Sequence, residues 1–430
     1  TRRCLMIMTL PMIAAMFLNM MYNLVDSLWI GNLLGETAYA ALTNSTPIIL
    51  ILTSVAMGAT NGVSILLSQA IGAKDKKRTE SLIATSFCVA VVFSVLVTVI
   101  LELLLPSILS ALNTPAETYD MAYSYLSVYV LGYIAIYLYC YFAAVLRSFG
   151  NSMFQAIAML TTTILNAVLD PIFIHFIGFN GAAIATLLSE TICLLFMLVY
   201  LKKKKLFTFK ISEFDKSDIL LLVQKAVPSV IQQSIPAVST TFLTALVSTY
   251  SITAIAAYGV AGKLEIIVFY PAMALNMVLT TIIGQCVGGK RYDRAKDYLK
   301  CALGYGCGLL VILSALVIGF SKQLSGLFVK SDDVAAIVGT YFLIVSIGYL
   351  LNTVTNCYLG ALNGMGKPSK SMFLMIIYYI VVRIPLSYLL YYVGFGLNGI
   401  WVAVLVSHVV ASIAACISGT VSFKKQTSST

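Results

Sequence analysis

The stretch SQAIGAK at residues 68–74 returns as GQCVGGK at residues 284–290, so this sequence contains an internal repeat. The two copies are 216 residues apart in a chain of 430 residues. The same offset relates two pairs of glycines, Gly150 with Gly366 and Gly178 with Gly394. An offset of half the chain indicates two fused copies of one ancestral unit. In a membrane protein, this repeat is typical of a transporter whose substrate passes between two similar lobes.

The composition predicts that these two copies lie in a membrane. Hydrophobic residues make up 60% of the chain and charged residues 10%, with a mean hydropathy of +0.95. Such a chain has too little polar surface to cover a soluble globule. Runs long enough to cross a hydrocarbon core of ~30 Å occur near residues 5–30, 42–71, 82–105, 119–146, 153–176, 181–201, 219–249, 254–287, 299–320, 334–362, 371–393 and 397–420. The predicted fold is therefore an all-α integral membrane protein with twelve transmembrane helices.

The repeat also predicts the domain organisation and the orientation in the membrane. We expect an N-lobe over 1–201 and a C-lobe over 219–430, six spans each and related by a pseudo-twofold axis, with a basic linker at 202–218. Lysine and arginine are concentrated in alternate loops of this multi-pass chain, which predicts that the linker and both termini are cytoplasmic. The net charge of +10 therefore reflects orientation rather than a nucleic-acid partner.

Carboxylates inside apolar helices are the main candidates for function. An ionised carboxylate in the bilayer costs several kcal/mol, so each one needs a partner, a cavity or a proton. Asn166 and Asp170 are four residues apart and so share one helix face, and Asp26 is expected at a comparable depth in the first span. This chemistry suits Na⁺ or a proton. The alternative is a hydrogen-bonded pair that only packs helices together.

A set of short motifs makes the chain resemble a known family. The motifs are Pro11 with Asp26, Gln69-x-x-Gly72-Ala73, Arg147-x-x-Gly150-Asn151, Asn166-x-x-x-Asp170-Pro171, the stretch Gly181–Thr186, and Gln285-x-x-Gly288. In this order they resemble the multidrug and toxic compound extrusion (MATE) family over essentially the whole chain, and most closely its prokaryotic DinF-like branch. The resemblance implies a cation-coupling site of Asp26, Asn166, Asp170 and Thr186. The first three would be the ligands if the ion is Na⁺.

The second half of the chain departs from another branch of that family. The NorM-like branch has carboxylates in its seventh and tenth spans, where this chain has Gln232, Gln233 and no acid. Glu265 and Arg383 could form an inert ion pair or contact a substrate, and the sequence leaves both possibilities open. Flexible thioethers and aromatic faces suit flat organic cations. The candidates for the substrate cavity are Met16, Met20, Tyr133, Tyr137, Gln232, Gln233, Glu265 and Arg383.

Together with the resemblance, these observations predict a secondary active antiporter in a prokaryotic plasma (inner) membrane. We expect it to export organic cations or amphiphilic drugs and toxins by alternating access, in exchange for H⁺ or Na⁺, as a monomer without a cofactor. The alternative is a flippase for lipid-linked oligosaccharides from the same superfamily. A membrane-embedded enzyme is disfavoured, because the sequence lacks a His-Glu-x-x-His motif and has only two histidines, His175 and His408.

Overall fold

The computed structural model describes residues 1–429, and every regular element in that range is helical. The first half of the chain forms α1 (Arg2–Leu34), α2 (Glu36–Gly72), α3 (Lys76–Ala111), α4 (Ala116–Leu131), α5 (Tyr133–Ser148), α6 (Met153–Ile177) and α7 (Phe179–Lys204). Helices α4 and α5 meet at Gly132 with a bend of 45°. Together they make one span, so the predicted run at 119–146 is a broken helix.

The second half repeats this layout with more irregular helices. A short 3₁₀ turn (Ile211–Glu213) precedes α8 (Ser217–Ser248), α9 (Ile252–Gly288), α10 (Tyr292–Gly319), α11 (Ser321–Phe328), α12 (Asp332–Gly364), α13 (Pro368–Met375), a π-helical segment (Ile376–Arg383), α14 (Ile384–Leu390), a second π-helical segment (Tyr391–Phe395) and α15 (Gly396–Ser428). Thr430, the last residue of the predicted C-lobe, lies outside the described residues.

The count of membrane spans agrees with the twelve that the sequence predicts. Ten helical stretches in the described chain are long and apolar enough to cross a membrane, and the bent pair α4 and α5 makes an eleventh span. The last of the ten, Pro368–Ser428, has 61 residues. At 1.5 Å per residue it would be about 90 Å long, three times the hydrocarbon thickness. It is divided at Gly394, whose φ of +120° is not helical, and so forms two spans.

The backbone repeats at the same offset as the sequence. Left-handed φ angles occur at three pairs of positions that are 216 residues apart: Lys74 and Lys290 (both +56°), Gly150 and Gly366 (+89° and +80°), and Gly178 and Gly394 (+88° and +120°). This region is unfavourable for residues with a Cβ atom, which explains the glycines at two of the pairs. The two halves therefore end and restart their helices at equivalent positions.

Contacts within the chain divide it into two compact units. The first unit contains Leu10–Ile71 and Asp75–Ala226, and the second contains Thr1–Thr9, Gly72–Lys74 and the chain from Val227 onward. In the first unit, a Cβ atom at Gly181 would collide with the carbonyl of Phe173, so these backbones touch where α6 turns into α7. In the second unit, Gly360 of α12 packs in the same way against Asn276 of α9. The predicted limits of the lobes, 1–201 and 219–430, stay a prediction.

The linker ends in contacts with α3, inside the first unit. Arg78 forms a salt bridge with Asp218, whose side chain is 2% exposed, and Ser81 donates a hydrogen bond to the same carboxylate at 3.2 Å. The backbone N–H of Asp215 donates to Oγ1 of Thr85 at 3.0 Å. Hydrogen bonds from the side chain and the backbone of Ser217 lower the pKa of Asp215. The end of the linker is therefore docked on α3, and the helix α8 starts from that contact.

Candidate functional site

Helices α1, α6 and α7 bring the four predicted coupling residues together inside the first unit. Asp26 of α1 is 8% exposed, Asn166 and Asp170 of α6 are fully buried, and Thr186 of α7 is 6% exposed. The spacing of four residues puts the amide and the carboxyl of α6 on one face, as expected for an α-helix. The burial of these polar groups in an apolar bundle requires partners, because an unpaired polar group in such surroundings is costly.

Asn166 lies at the centre of this cluster. Its Nδ2 atom is 3.4 Å from Oδ1 of Asp170, 3.5 Å from Oγ1 of Thr186 and 3.4 Å from the hydroxyl of Tyr22. One amide group thus faces acceptors on three helices. These hydrogen bonds are long, since N–H···O bonds in proteins are normally 2.7–3.2 Å. The cluster is assembled but its polar atoms are not tightly paired with one another.

Two carboxyl groups approach each other beside this amide. The side chains of Asp26 and Asp170 are within hydrogen-bonding reach, and Tyr125 of α4 interacts with Asp26 from another side. Two carboxylates at such short range cannot both stay ionised by themselves, because their charges repel and burial removes the water that would screen them. A proton shared between them, or a cation held by both, resolves the conflict. The arrangement is therefore suited to exchange one for the other.

The hydrogen bonding of the oxygens in this cluster shows whether a cation could bind there. Oδ1 of Asp26, Oδ1 of Asn166 and Oδ2 of Asp170 are buried and have no hydrogen-bond partner among residues 1–429. Hard cations prefer carboxylate and carbonyl oxygens of this kind. A pair of side chains that served only to pack helices would be expected to satisfy its own acceptors. The donor set therefore fits Na⁺ as a transported ion and equally fits a proton.

Three side chains next to the cluster were not assigned to it from the sequence. Tyr22 precedes Asp26 by four residues and Glu190 follows Thr186 by four, so both lie on helix faces that the cluster already uses. The carboxyl of Glu190 interacts electrostatically with Tyr22. Tyr125 comes from α4 and has no such local signal. The helical spacing could have identified the first two, whereas the third depends on how α4 packs.

The tyrosines and methionines predicted for the substrate cavity have mixed surroundings. Tyr133 donates a hydrogen bond from its hydroxyl to the carbonyl of Leu52 at 3.0 Å, and its ring packs edge to face on Tyr137 with centroids 6.0 Å apart. Met16 is 7% exposed and Met20 is partly buried. Tyr133 and Tyr137 both lie in α5, which the bend at Gly132 separates from α4.

Glu265 of the second unit is held by tyrosines. Its Oε1 atom accepts hydrogen bonds from the hydroxyls of Tyr341 and Tyr349 of α12, the latter at 2.9 Å. Lys263 points elsewhere, with its ammonium 5.4 Å from the centroid of the Phe328 ring. Glu265 and Arg383 do not form the ion pair considered from the sequence, because the one salt bridge in the described chain joins Arg78 to Asp218.

The two adjacent glutamines differ in their contacts. Gln232 is buried and forms a reciprocal amide pair with Asn363 of α12, with N···O distances of 3.2 and 3.3 Å, and it also donates to the carbonyl of Pro368 at 3.1 Å. Gln233 is partly buried. The amide of Gln232 thus connects α8 to the end of α12 and the start of α13.

Comparison with known proteins identifies the family. The MatE family model matches this chain twice, over residues 11–172 and over residues 228–389. This chain belongs to the MatE family. The two matches begin at Pro11 and Pro228, so the family unit is the repeated half recognised in the sequence. The family that the motifs predicted is confirmed, and with it a membrane transporter rather than an enzyme. The DinF-like branch stays a prediction.

Relatives of this MatE protein in other bacteria match over nearly their full length. A probable multidrug resistance protein of Bacillus subtilis, YoeA, is 25% identical over 413 residues, which cover 93% of this chain and 89% of that protein. The FAD transporter of Shewanella oneidensis is 25% identical over 424 residues, with coverage of 96% and 93%. The multidrug export protein MepA of Staphylococcus saprophyticus is 25% identical over 417 residues, with coverage of 95% and 91%.

Solved structures agree with the MatE fold. A structure described as the outward-facing conformation of a multidrug resistance MATE family transporter has a TM-score of 0.94 and 22% identity, covering 99% of this chain and 97% of that one. A MOP superfamily transporter from Pyrococcus furiosus also has a TM-score of 0.94 and 22% identity, with coverage of 99% and 96%. At this identity the likeness establishes the fold alone.

Proposed function

We propose that this MatE protein is a secondary antiporter that exports small amphiphilic organic cations in exchange for H⁺ or Na⁺. The observation that carries the proposal is the pair of buried carboxyls, Asp26 and Asp170, with unpartnered oxygens beside the amide of Asn166. The multidrug names of the relatives from Bacillus and Staphylococcus support the substrate class. Several membrane spans for each half, with basic residues concentrated in alternate loops, are in keeping with a prokaryotic plasma membrane.

Coupling follows from the competition for these carboxyls. A proton or Na⁺ that enters the cluster neutralises the repulsion between Asp26 and Asp170 and favours the conformation that encloses it. Asn166 and Thr186 would contribute neutral oxygens, because both side chains lie in the same cluster as the carboxyl of Asp170. Release of the ion restores the repulsion and favours the other conformation. The ion thereby shifts a two-state equilibrium by its different affinity for the two states, which is the minimum that alternating access requires.

The driving force is large enough for drug export. Exchange of two monovalent ions for one monovalent organic cation moves one net elementary charge inward, which releases ~2.3 kcal/mol at a membrane potential of 100 mV. This corresponds to a concentration ratio of about 50-fold for the exported compound at equilibrium. An exchange of two ions for one cation would therefore maintain a useful gradient without any cofactor. A one-for-one exchange moves no net charge and is driven by the concentration gradient of the ion alone.

The decisive experiment separates the two ions. The purified protein would be reconstituted in liposomes loaded with ethidium, and efflux would be followed under an imposed pH gradient, an imposed Na⁺ gradient, or neither. We expect efflux that one of the two gradients accelerates at least tenfold. An efflux rate that neither gradient changes would contradict the proposal. Light scattering coupled to size-exclusion chromatography of the same preparation would test the expected monomer.

The proposed orientation can be tested independently. Single cysteines at Lys210 and Asn113, on a background without the natural cysteines, would be labelled in intact cells with a membrane-impermeant maleimide. With a cytoplasmic linker and an external loop around residues 112–118, only the cysteine at position 113 reacts from outside. Labelling at position 210 in intact cells would reverse the assignment.

FAD itself is a second candidate substrate. The relative named as an FAD transporter is as similar to this chain as the multidrug proteins are, at 25% identity over 424 residues. Uptake of FAD and of ethidium into everted membrane vesicles, measured side by side under the same gradient, would decide between them. FAD uptake without ethidium uptake would favour the second candidate.

A further inference from the structure

Arg383 lies at the end of an irregular helix in the second unit. The segment Ile376–Arg383 is π-helical, a geometry that inserts an extra residue into a turn and is frequent at functional sites. The arginine side chain is only 9% exposed. Buried arginines in membrane spans are rare, and they normally pair with an acid or with backbone carbonyls. The partners of this guanidinium therefore require an explanation.

Neighbouring side chains fix the guanidinium but do not neutralise it. Its Nε atom donates to Oγ of Ser407 at 2.9 Å, and Nη2 lies 3.4 Å from Nε2 of His408. The hydroxyl of Tyr379 is also within reach. A guanidinium has five N–H donors, so these contacts leave two. Across residues 1–429, the acids form no salt bridge with Arg383, and Glu265 is engaged by two tyrosine hydroxyls.

A chain of hydrogen bonds through Tyr378 and His408 orients the guanidinium of Arg383. The hydroxyl of Tyr378 donates to Oδ1 of Asn352 at 3.2 Å and pairs with Nδ1 of His408. Since the hydroxyl proton points to Asn352, Nδ1 of His408 is the donor to Tyr378, and its Nε2 is left to accept from Arg383. The guanidinium carbon also lies 4.5 Å from the centroid of the Tyr379 ring. The arginine is thus held in one orientation before any ligand arrives.

We propose that Arg383 binds the oxyanion of a transported compound, a carboxylate or a phosphate, in the second unit. The inference rests on the proposed function as a transporter and adds a substrate class to it: organic anions or zwitterions. The remaining N–H donors of this planar cation can bind the oxygens of a carboxylate or phosphate through charge-assisted hydrogen bonds. An oxyanion would also supply the missing counter-charge for a buried cation, which is otherwise costly.

The test compares compounds that differ only in the oxyanion. Flavin mononucleotide and riboflavin share a ring and differ in one phosphate, while fluorescein and its methyl ester differ in one carboxylate. Binding to the purified protein in lipid nanodiscs would be measured by fluorescence anisotropy. We expect the anionic member of at least one pair to bind about 10- to 100-fold more tightly, the range for hydrogen bonds to charged groups. The two pairs separate a phosphate preference from a carboxylate preference.

Variants then assign the preference to Arg383. Arg383→Gln should abolish the difference between the members of the preferred pair, and Arg383→Lys should retain part of it as a point charge. Arg291→Gln, which removes the same charge from an exposed position at the start of α10, is the matched control and should keep the full difference. Monodispersity of each variant would confirm folding.

Two outcomes would overturn the inference. One is wild-type protein that binds both members of each pair equally, a result that does not depend on any variant. The other is a preference that survives in well-folded Arg383→Gln protein. Ethidium efflux by the wild-type protein is measured separately, so a failure of cation export with an intact anion preference would refute the proposed function and not this site.

Discussion

The two units have tyrosines at equivalent positions, but the hydroxyls of these tyrosines contact different groups. Tyr125 and Tyr341 are 216 residues apart, and each approaches a carboxyl: Asp26 in the first unit and Glu265 in the second. Tyr133 and Tyr349 are related in the same way, yet the first donates to the backbone carbonyl of Leu52 and the second to Glu265. The repeat has thus kept the donors in place while the acceptors changed.

The charged groups diverge further than the tyrosines. At the repeat offset, Asn166 corresponds to Val382, Asp170 to Leu386 and Thr186 to Val402, so the second unit lacks the oxygen cluster of the first. Arg383 stands instead at the position equivalent to Ala167. A fold can therefore be duplicated while its polar chemistry is not, because helix ends and packing depend on small and apolar residues. Ion coupling is expected in the first unit and substrate recognition in the second.

The strongest test of this division is Asp170→Asn. The amide keeps the shape of the carboxyl but cannot bind a proton or attract a cation, so gradient-driven efflux should fall to the rate of protein-free liposomes. Asp26→Asn should do the same. Glu102→Gln, which removes another partly buried acid from α3 of the same unit, is the control and should keep efflux. Native efflux by well-folded Asp170→Asn protein would place coupling elsewhere.

A smaller loss is expected from Asn166→Ala. This change removes one neutral oxygen ligand and leaves both carboxyls, so the affinity for the coupling ion should fall by about fivefold, which corresponds to the ~1 kcal/mol of a neutral hydrogen bond. The measurement is the ion concentration that gives half-maximal efflux. A loss as complete as that of Asp170→Asn would mean that the amide itself holds the ion in place.

Gln232→Ala tests the role of the second unit. The change leaves the buried amide of Asn363 without its partner and should lower the free energy of unfolding by about 1–3 kcal/mol. The midpoint of thermal unfolding in detergent would report this loss of stability, with Gln233→Ala as the neighbouring control.

Because neither amide titrates, replacing Gln232 or Gln233 by Ala should change substrate preference more than the dependence of efflux on pH or Na⁺. Loss of ion dependence here would contradict the assignment of coupling to the first unit.

The smallest effect is expected for Arg78→Ala. The arginine side chain is 36% exposed, so solvent screening limits the contribution of its salt bridge with Asp218 to no more than ~1 kcal/mol. The thermal midpoint should fall slightly, and the difference from wild type should shrink at high salt. Lys77→Ala, one residue away and exposed, controls for the loss of charge. A large loss of stability would show that the docked linker matters more than its contacts suggest.

Much of the fold could be predicted from the sequence, because apolar runs and an internal repeat can be recognised from the order of residues along the chain alone. The predicted apolar runs correspond to the helical spans of the structure. The spacing of four residues between Asn166 and Asp170 correctly predicted that they share one helix face. The same reasoning could not reveal the bend at Gly132 or the π-helical segment before Arg383, since both lie within uniformly apolar runs.

Contacts between distant helices were the other limit of prediction. Glu265 is 76 residues from Tyr341 and 84 from Tyr349, and its nearer possible partner, Lys263, faces Phe328 instead. Which side chain meets which carboxyl depends on the rotation of each helix about its axis, and packing sets that rotation. The functional assignment of Asp26, Asn166, Asp170 and Thr186 stays a prediction, although the structure places these side chains together.

The docking of the linker on α3 has a consequence for how the protein is made. Arg78 and Asp218 are 140 residues apart, and the carboxylate of Asp218 is buried where it meets α3. The first unit therefore remains incomplete on the ribosome until the start of α8 has been synthesised, although all six of its spans have been translated by then. A fragment that stops at residue 201 would expose the linker-binding surface of α3. Co-expressed halves should assemble best when the first fragment extends to Ala226.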